Sequence, residues 1–148
     1  MATVDATTLG SLYEIDETAW LEVMAELAAS GRPEDLDLPN LSGYLADMAR
    51  RDRREVFSRL VVLLAHLLKS AHQPDRMGAS WRVTIREQRR ELRQLLESQT
   101  LRNHADVVLA DAYAEARRQA ADDTELDRDV FPIENEWDLD ATLGEQDA

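Results

Sequence analysis

The feature that most constrains the fold is an apolar run near the middle of the chain. Residues 60–68 contain eight apolar residues, interrupted only by His66. The run is too short to span a membrane, which takes about 20 residues. A helix that is apolar almost all round is buried among other elements. We therefore expect a central helix over about residues 53–71.

Turn-forming residues are scarce, and this indicates how the rest of the chain folds. The 148 residues include 5 Gly and 4 Pro, fewer than strands joined by tight turns usually need. The sequence predicts an all-α, single-domain bundle of about five main helices with a short C-terminal helix or extended tail. We expect one domain over residues 13–143, a flexible lead-in over 1–12 and a loose acidic end over 144–148.

Helical spacing of apolar residues, with capping residues at the ends, predicts the other helices. They cover residues 17–30, 39–51, 81–97 and 101–121, with Ser80 as the cap of the fourth helix. Asp52 and Glu55 resemble a capping box, which favours a break near Arg51. The alternative is one continuous helix over 39–72. In the acidic tail, Phe131 and Trp137 are expected to hold the chain on the helical body.

Composition also excludes some classes of site. The chain has no Cys, so disulfides, thiolate metal sites and cysteine nucleophiles are excluded. No secretory signal pattern begins the sequence, and we expect a cytoplasmic location with no membrane partner. Phosphate-binding, dinucleotide-binding and zinc-protease motifs are absent. We therefore predict no catalytic residues, no metal and no cofactor.

Charge is strongly segregated along the chain, whose formal net charge is −13. Residues 1–49 carry a net charge of −9, residues 50–102 carry +7 and residues 122–148 carry −10. Complementary charge of this kind favours docking to another protein or to a second copy of the chain. Nucleic acid is disfavoured by the overall charge, although the basic middle does not repel it.

A polar stripe interrupts the apolar surface of the central helix. Arg59, His66, Lys69 and Gln73 fall within about 80° of one another at 100° per residue, and Gln88 lies on the apolar face of the next helix. One interpretation is a ligand or acid–base site with His66 as the proton carrier. The other, which we favour, is a structural network in which Arg59 and Lys69 reach carboxylates on the first or fifth predicted helix. His66 and Gln88 should then be largely buried and hydrogen-bonded.

An arginine stripe lies along the fourth predicted helix. Arg82, Arg86, Arg89 and Arg93 fall within about 60° of one another. The stripe could bind an anion, a nucleic-acid backbone or a protein partner. It could equally be a solvated ridge, or one that the acidic tail neutralises.

Three possible metal ligands share one side of the fifth predicted helix. They are His104, Asp111 and Glu115. The Glu-x-x-His pairs of di-iron bundles are absent, so a metal site is not predicted.

Several segments together resemble one bacterial family, that of domain of unknown function twenty-nine. The segments are LVVLLAHLLK at 60–69, QP at 73–74, SWR at 80–82, TIREQR at 84–89, YAEAR at 113–117 and FP at 131–132. The resemblance covers residues 36–143 and implies a small all-α fold with no established activity. Family members often continue the Phe-Pro with Cys-Pro-Tyr, whereas this chain reads ENEW at 134–137, so no role can rest on that thiol here.

The sequence alone names no reaction. Charge segregation and the lack of a catalytic motif predict a non-enzymatic protein-interaction or regulatory module. Two alternatives stay open. One is a nucleic-acid-associated protein that uses the arginine stripe, and the other is a small-molecule or enzymatic site at His66.

Overall fold

The computed structural model describes residues 6–144, and this part of the chain is helical with no β-strand. The helices are α1 (Ala6–Ile15), α2 (Glu17–Ala29), α3 (Leu38–His72), α4 (Ala79–Leu95), α5 (Gln99–Thr124) and α6 (Leu139–Leu143). Single 3-10 turns lie at Pro33–Asp35, Pro74–Arg76 and Arg128–Val130. The all-α prediction is confirmed. Within the described range no helix is long and apolar enough to cross a membrane.

Residues 6–12, which lie in the lead-in expected to be flexible over 1–12, belong to α1, and their flexibility stays a prediction. Leu9 is fully buried against the residues of α2, and Leu12 packs beside it. This burial depends on tertiary partners, which a short segment with few apolar residues does not reveal. Residues 1–5 and 145–148, and with them most of the predicted loose acidic end, lie outside the described residues.

The break predicted near Arg51 is wrong, and the alternative of one continuous helix is confirmed, because α3 runs without interruption through this point. Residues 49–55 contain no Gly or Pro, and most of them favour helix. Glu55 does not serve as part of a capping box. Its carboxylate accepts a hydrogen bond of 2.9 Å from Arg59 Nε, one turn further along the same helix.

The chain divides at Arg50 into two compact units, and each has its own apolar core. In the N-terminal unit, Trp20 is fully buried and its Nε1 donates to Asp37 Oδ2 at 3.1 Å. Asn40 Nδ2 donates to the same oxygen at 2.7 Å. The rings of Tyr13 and Tyr44 lie 4.7 and 6.0 Å from the Trp20 ring. Apart from Leu9 and Leu12, the residues of both cores lie within 13–143, the range expected to form one domain, and that expectation stays a prediction.

The C-terminal unit is built on the second half of α3 together with α4 and α5. Arg59 contacts Gln88 while Lys69 contacts Trp81, so α3 and α4 run antiparallel, as their short connection predicts. Lys69 also contacts Asp123 near the end of α5, whereas Phe57 lies beside His104 near its start. The second half of α3 and α5 are therefore parallel. Their buried residues form one continuous core.

Side-chain caps set two of the helix starts in this unit. Ser98 Oγ accepts from Leu101 N at 3.3 Å at the start of α5, and Asp138 Oδ1 accepts from Ala141 N at 2.8 Å at the start of α6. The predicted cap Ser80 is wrong, because Gly78 already supplies the extended backbone before α4. Ser80 therefore lies inside the first turn.

The acidic tail returns onto the C-terminal unit. Phe131 is fully buried in the core, and Trp137 is partly buried against it, as predicted. Tyr113 Oη donates to the carbonyl oxygen of Pro132 at 2.5 Å, and Arg117 Nε donates to that of Phe131 at 2.9 Å. An ion pair of 2.7 Å joins Arg102 to Asp140. The tail is thus held through its backbone carbonyls and its buried apolar side chains as well as through its carboxylates.

Candidate functional site

A groove in the C-terminal unit collects all four residues of the predicted arginine stripe. We call it the arginine groove, and its volume is ≈ 400 Å³. Its lining residues come from α3, the following loop and α4: Leu67, Ser70, Met77, Arg82, Ile85, Arg86, Arg89 and Arg93. The arginines meet there because spacings of three, four and seven residues return to the same side of a helix.

Two of these arginines bind the C-terminal end of α6. Arg89 Nε donates to the carbonyl oxygen of Thr142 at 3.0 Å, and Arg93 Nη2 donates to that of Leu143 at 2.5 Å. The last carbonyls of a helix lack partners within the helix and carry partial negative charge. Arg89 and Arg93 therefore cap α6. The tail does neutralise part of the stripe, but through its backbone and not through its carboxylates.

Gly144 closes α6 in a left-handed conformation with φ = 69°. A Cβ atom at this position would lie 3.0 Å from Arg89 Cζ and 3.1 Å from Arg93 Nη2. Glycine is therefore required here for two reasons: the positive φ, and the two guanidinium groups packed where a Cβ atom would lie.

The other two arginines of the groove are unengaged. Arg82 and Arg86 are exposed, and neither side chain forms an ion pair or hydrogen bond with any residue between 6 and 144. Ser70 Oγ, in the same wall, is buried and has no hydrogen-bond partner in that range. Buried hydroxyls normally have a partner. The groove thus offers two guanidinium groups beside an apolar wall, with the buried hydroxyl of Ser70 behind it.

The first part of the polar stripe forms a network between α3 and α4. Besides its bond to Glu55, Arg59 donates from Nη1 to Gln88 Oε1 at 3.2 Å and lies 4.0 Å from Glu91. Arg59 and Gln88 therefore meet, as the stripe suggested. The carboxylates beside Arg59 lie on α3 and α4, so the prediction that it reaches the first or fifth predicted helix is wrong.

Lys69 follows the prediction more closely. Its side chain is 7% exposed, and Nζ donates to Asp123 Oδ2 on α5 at 3.1 Å. Nζ also lies 5.2 Å from the centre of the Trp81 ring, within the range of a cation–π interaction. A buried ammonium needs such partners, since an unpaired buried charge is strongly destabilising.

His66 is only partly buried, although we expected it to be largely buried. Its Nδ1 lies 2.8 Å from the carbonyl oxygen of Val62, one turn earlier, so Nδ1 carries the hydrogen and donates it. Burial lowers the pKa of His66 below its usual 6.5, and nearby Lys69 lowers it further. The bond to Val62 and the charge of Asp123 act in the opposite direction. The neutral form of His66 therefore predominates at pH 7.

Gln88 is likewise only partly buried, and Gln73 at the end of the stripe has a buried Oε1 with no partner among residues 6–144. The stripe residues are thus distributed over separate contacts: Arg59 with Gln88, Lys69 with Asp123, and His66 with its own helix. This arrangement agrees with the structural interpretation. A ligand or acid–base role at His66 stays a prediction.

The sequence model of the family described as Domain of unknown function DUF29 matches residues 12–146. The chain belongs to this family. The match extends over both compact units, and the resemblance read from the residues is thereby confirmed. No functionally described protein and no solved structure matches the chain.

A second groove in the DUF29 chain was missed in the sequence. Arg53, Arg54, Phe57 and Ser58 from α3 and His104 and Val108 from α5 line a volume of ≈ 320 Å³, which we call the aromatic groove. The three metal candidates of α5 do not form a site, since residues 6–144 contain no group of three or more potential metal ligands. His104 instead lies beside Phe57. The spacing of Arg53 and Phe57, one helical turn apart, was the only signal available beforehand.

Proposed function

We propose that this DUF29 protein is a non-enzymatic interaction module whose arginine groove binds an acidic, partly apolar segment of a protein partner. One observation carries the proposal. Arg82 and Arg86 present guanidinium groups with no partner in residues 6–144, beside an apolar wall and a buried hydroxyl. A cytoplasmic location in a bacterium is part of the same proposal, and the cysteine-free composition and the family resemblance support it.

The chemistry of the groove favours a carboxylate-bearing peptide. A guanidinium group binds a carboxylate through two parallel hydrogen bonds. Exposed ion pairs contribute only about 0–1 kcal/mol each, so charge alone would give weak binding. Leu67, Met77 and Ile85 supply the apolar contact that an amphipathic partner needs. Methionine adapts its shape to varied partners, which suits a site of this kind.

The groove also contains an internal example of the same recognition. Arg89 and Arg93 already hold carbonyl oxygens at the end of α6. A partner segment bound at Arg82 and Arg86 would extend this row of guanidinium–oxygen contacts along α4. A nucleic-acid backbone offers phosphates without apolar side chains and would leave the apolar wall of the groove uncovered.

The proposal is tested with fluorescent amphipathic peptides in an anisotropy assay. One peptide contains Glu and Leu at helical spacing, a second has Lys in place of each Glu, and a 20-nucleotide mixed-sequence DNA is the third probe. We expect binding of the acidic peptide only. The double variant Arg82→Glu, Arg86→Glu should weaken it at least tenfold, about 1.4 kcal/mol or more.

Arg90 provides the matched control. It lies on the same helix, its side chain is 71% exposed, and it does not line the groove. Arg90→Glu should leave peptide affinity within about twofold, because a single exposed charge contributes little. No binding of the acidic peptide would refute the proposal. DNA binding that disappears with the double variant would transfer the function to nucleic acid.

A further inference from the structure

The aromatic groove is a second candidate site, and it shares no lining residue with the arginine groove. It lies between α3 and α5 of the C-terminal unit. The ring of Phe57 and the side chain of Val108 contribute apolar wall, and both residues are partly buried against the core. A volume of ≈ 320 Å³ suits one aromatic ring with a small head group.

Two cationic side chains border this apolar volume on its α3 side. Arg53 and Arg54 are exposed and form no ion pair with any residue in the described range. No carboxylate lines the groove. Glu55, the next residue along α3, is engaged by Arg59 at 2.9 Å.

The two positive charges of Arg53 and Arg54 favour some anions over others. Two guanidinium groups match a phosphate monoester, which carries a charge of about −1.5 to −2 at pH 7, better than a single carboxylate. Arginine binds phosphate oxygens in a bidentate manner. An aromatic body would pack against the Phe57 ring in an offset or edge-to-face arrangement.

We infer that the aromatic groove binds an organic phosphate monoester, with its aromatic body against Phe57 and Val108 and its phosphate between Arg53 and Arg54. The inference is independent of the function proposed for the arginine groove. It makes the protein a receptor for a small phosphorylated molecule in addition to a peptide partner.

Calorimetry and amide NMR titration of the full chain test this with three probes: phenyl phosphate, inorganic phosphate and benzyl alcohol. Phenyl phosphate should bind at least about tenfold more tightly than either of the others, because only it uses both the charge and the apolar wall. Its NMR shifts should centre on residues 53–58 and 104–108. Equal affinity for inorganic phosphate, or no detectable binding of phenyl phosphate, would overturn the inference.

Variants separate this site from other sources of binding. Arg53→Gln with Arg54→Gln should lower phenyl phosphate affinity more than tenfold, whereas Arg51→Gln, an exposed neighbour outside the groove, should leave it unchanged. Phe57→Leu should weaken phenyl phosphate several-fold without affecting inorganic phosphate. The inference would be refuted if Arg82→Glu, Arg86→Glu abolished phenyl phosphate binding while the Arg53 and Arg54 variant retained it. That result would place the ligand in the arginine groove.

Discussion

Replacing Phe131 by Ala should destabilise the C-terminal unit severely. The ring is fully buried, packs edge-on against His72 at 5.5 Å between centroids, and anchors the returning tail in the core. Loss of its transfer free energy amounts to about 1.5–3 kcal/mol. The cavity left behind raises the expected loss in the free energy of unfolding to about 3–5 kcal/mol.

The measurement is urea unfolding followed by far-UV circular dichroism, with hydrogen exchange to assign the change to α5 and the tail. With a slope of about 2 kcal/mol per molar urea, the transition midpoint should fall by roughly 2 M. Ile133→Ala is the matched control, since Ile133 lies two residues away in the same tail and is 78% exposed. It should change stability by less than about 0.5 kcal/mol. A loss below about 1 kcal/mol for Phe131→Ala, or equal losses for both variants, would show that the tail is not anchored as described.

Three further changes test other parts of the structure. The pKa of His66 in the folded state is lowered below 6.5, so the folded protein binds a proton there less readily than the unfolded chain does. The contribution of His66 to the free energy of unfolding is therefore complete above pH 6.5 and declines as the pH falls from 6.5 towards the folded-state pKa. His66→Gln should therefore reduce the dependence of the urea midpoint on pH between about pH 5 and 7.5. An unchanged pH dependence would contradict this. Gly144→Ala should cost about 1–3 kcal/mol through its positive φ and the Arg89 contact, and a neutral effect in thermal unfolding would count against the cap. Truncation after Asp123 should destabilise the remaining body, because it removes Phe131 and other core residues; a stable truncated body that gains affinity for the acidic peptide would show instead that the tail masks the groove.

The sequence predicted the helices wherever apolar residues recurred at helical spacing. α2 and α6 begin after Asp16 and Asp138, whose side chains accept from the backbone amides of Ala19 and Ala141, as capping residues do. The break in α3 was mispredicted because Asp52 and Glu55 have the spacing of a capping box. The same spacing also occurs between residues one turn apart inside a continuous helix. Only the neighbouring structure decides between them.

The candidate site was predictable in its side chains but not in its contacts. Helical spacing alone placed four arginines on one side of α4. That Arg89 and Arg93 hold carbonyls 53 and 50 residues further along the chain depends on where the tail returns, which no local pattern records. The aromatic groove was missed for the same reason, since Phe57 and His104 meet only once α3 and α5 pack side by side.

The burial of Lys69 has a consequence for chemical labelling. Of seventeen basic residues, it is the only lysine, and its ammonium group is enclosed by Asp123 and the Trp81 ring. Amine-directed crosslinkers and acyl donors therefore find no accessible lysine on the folded protein. Acylation of Lys69 requires α3, α4 and α5 to separate locally, so its rate under native conditions reports the free energy of that opening. This single slow-reacting lysine therefore reports local opening of the C-terminal unit from within its own core.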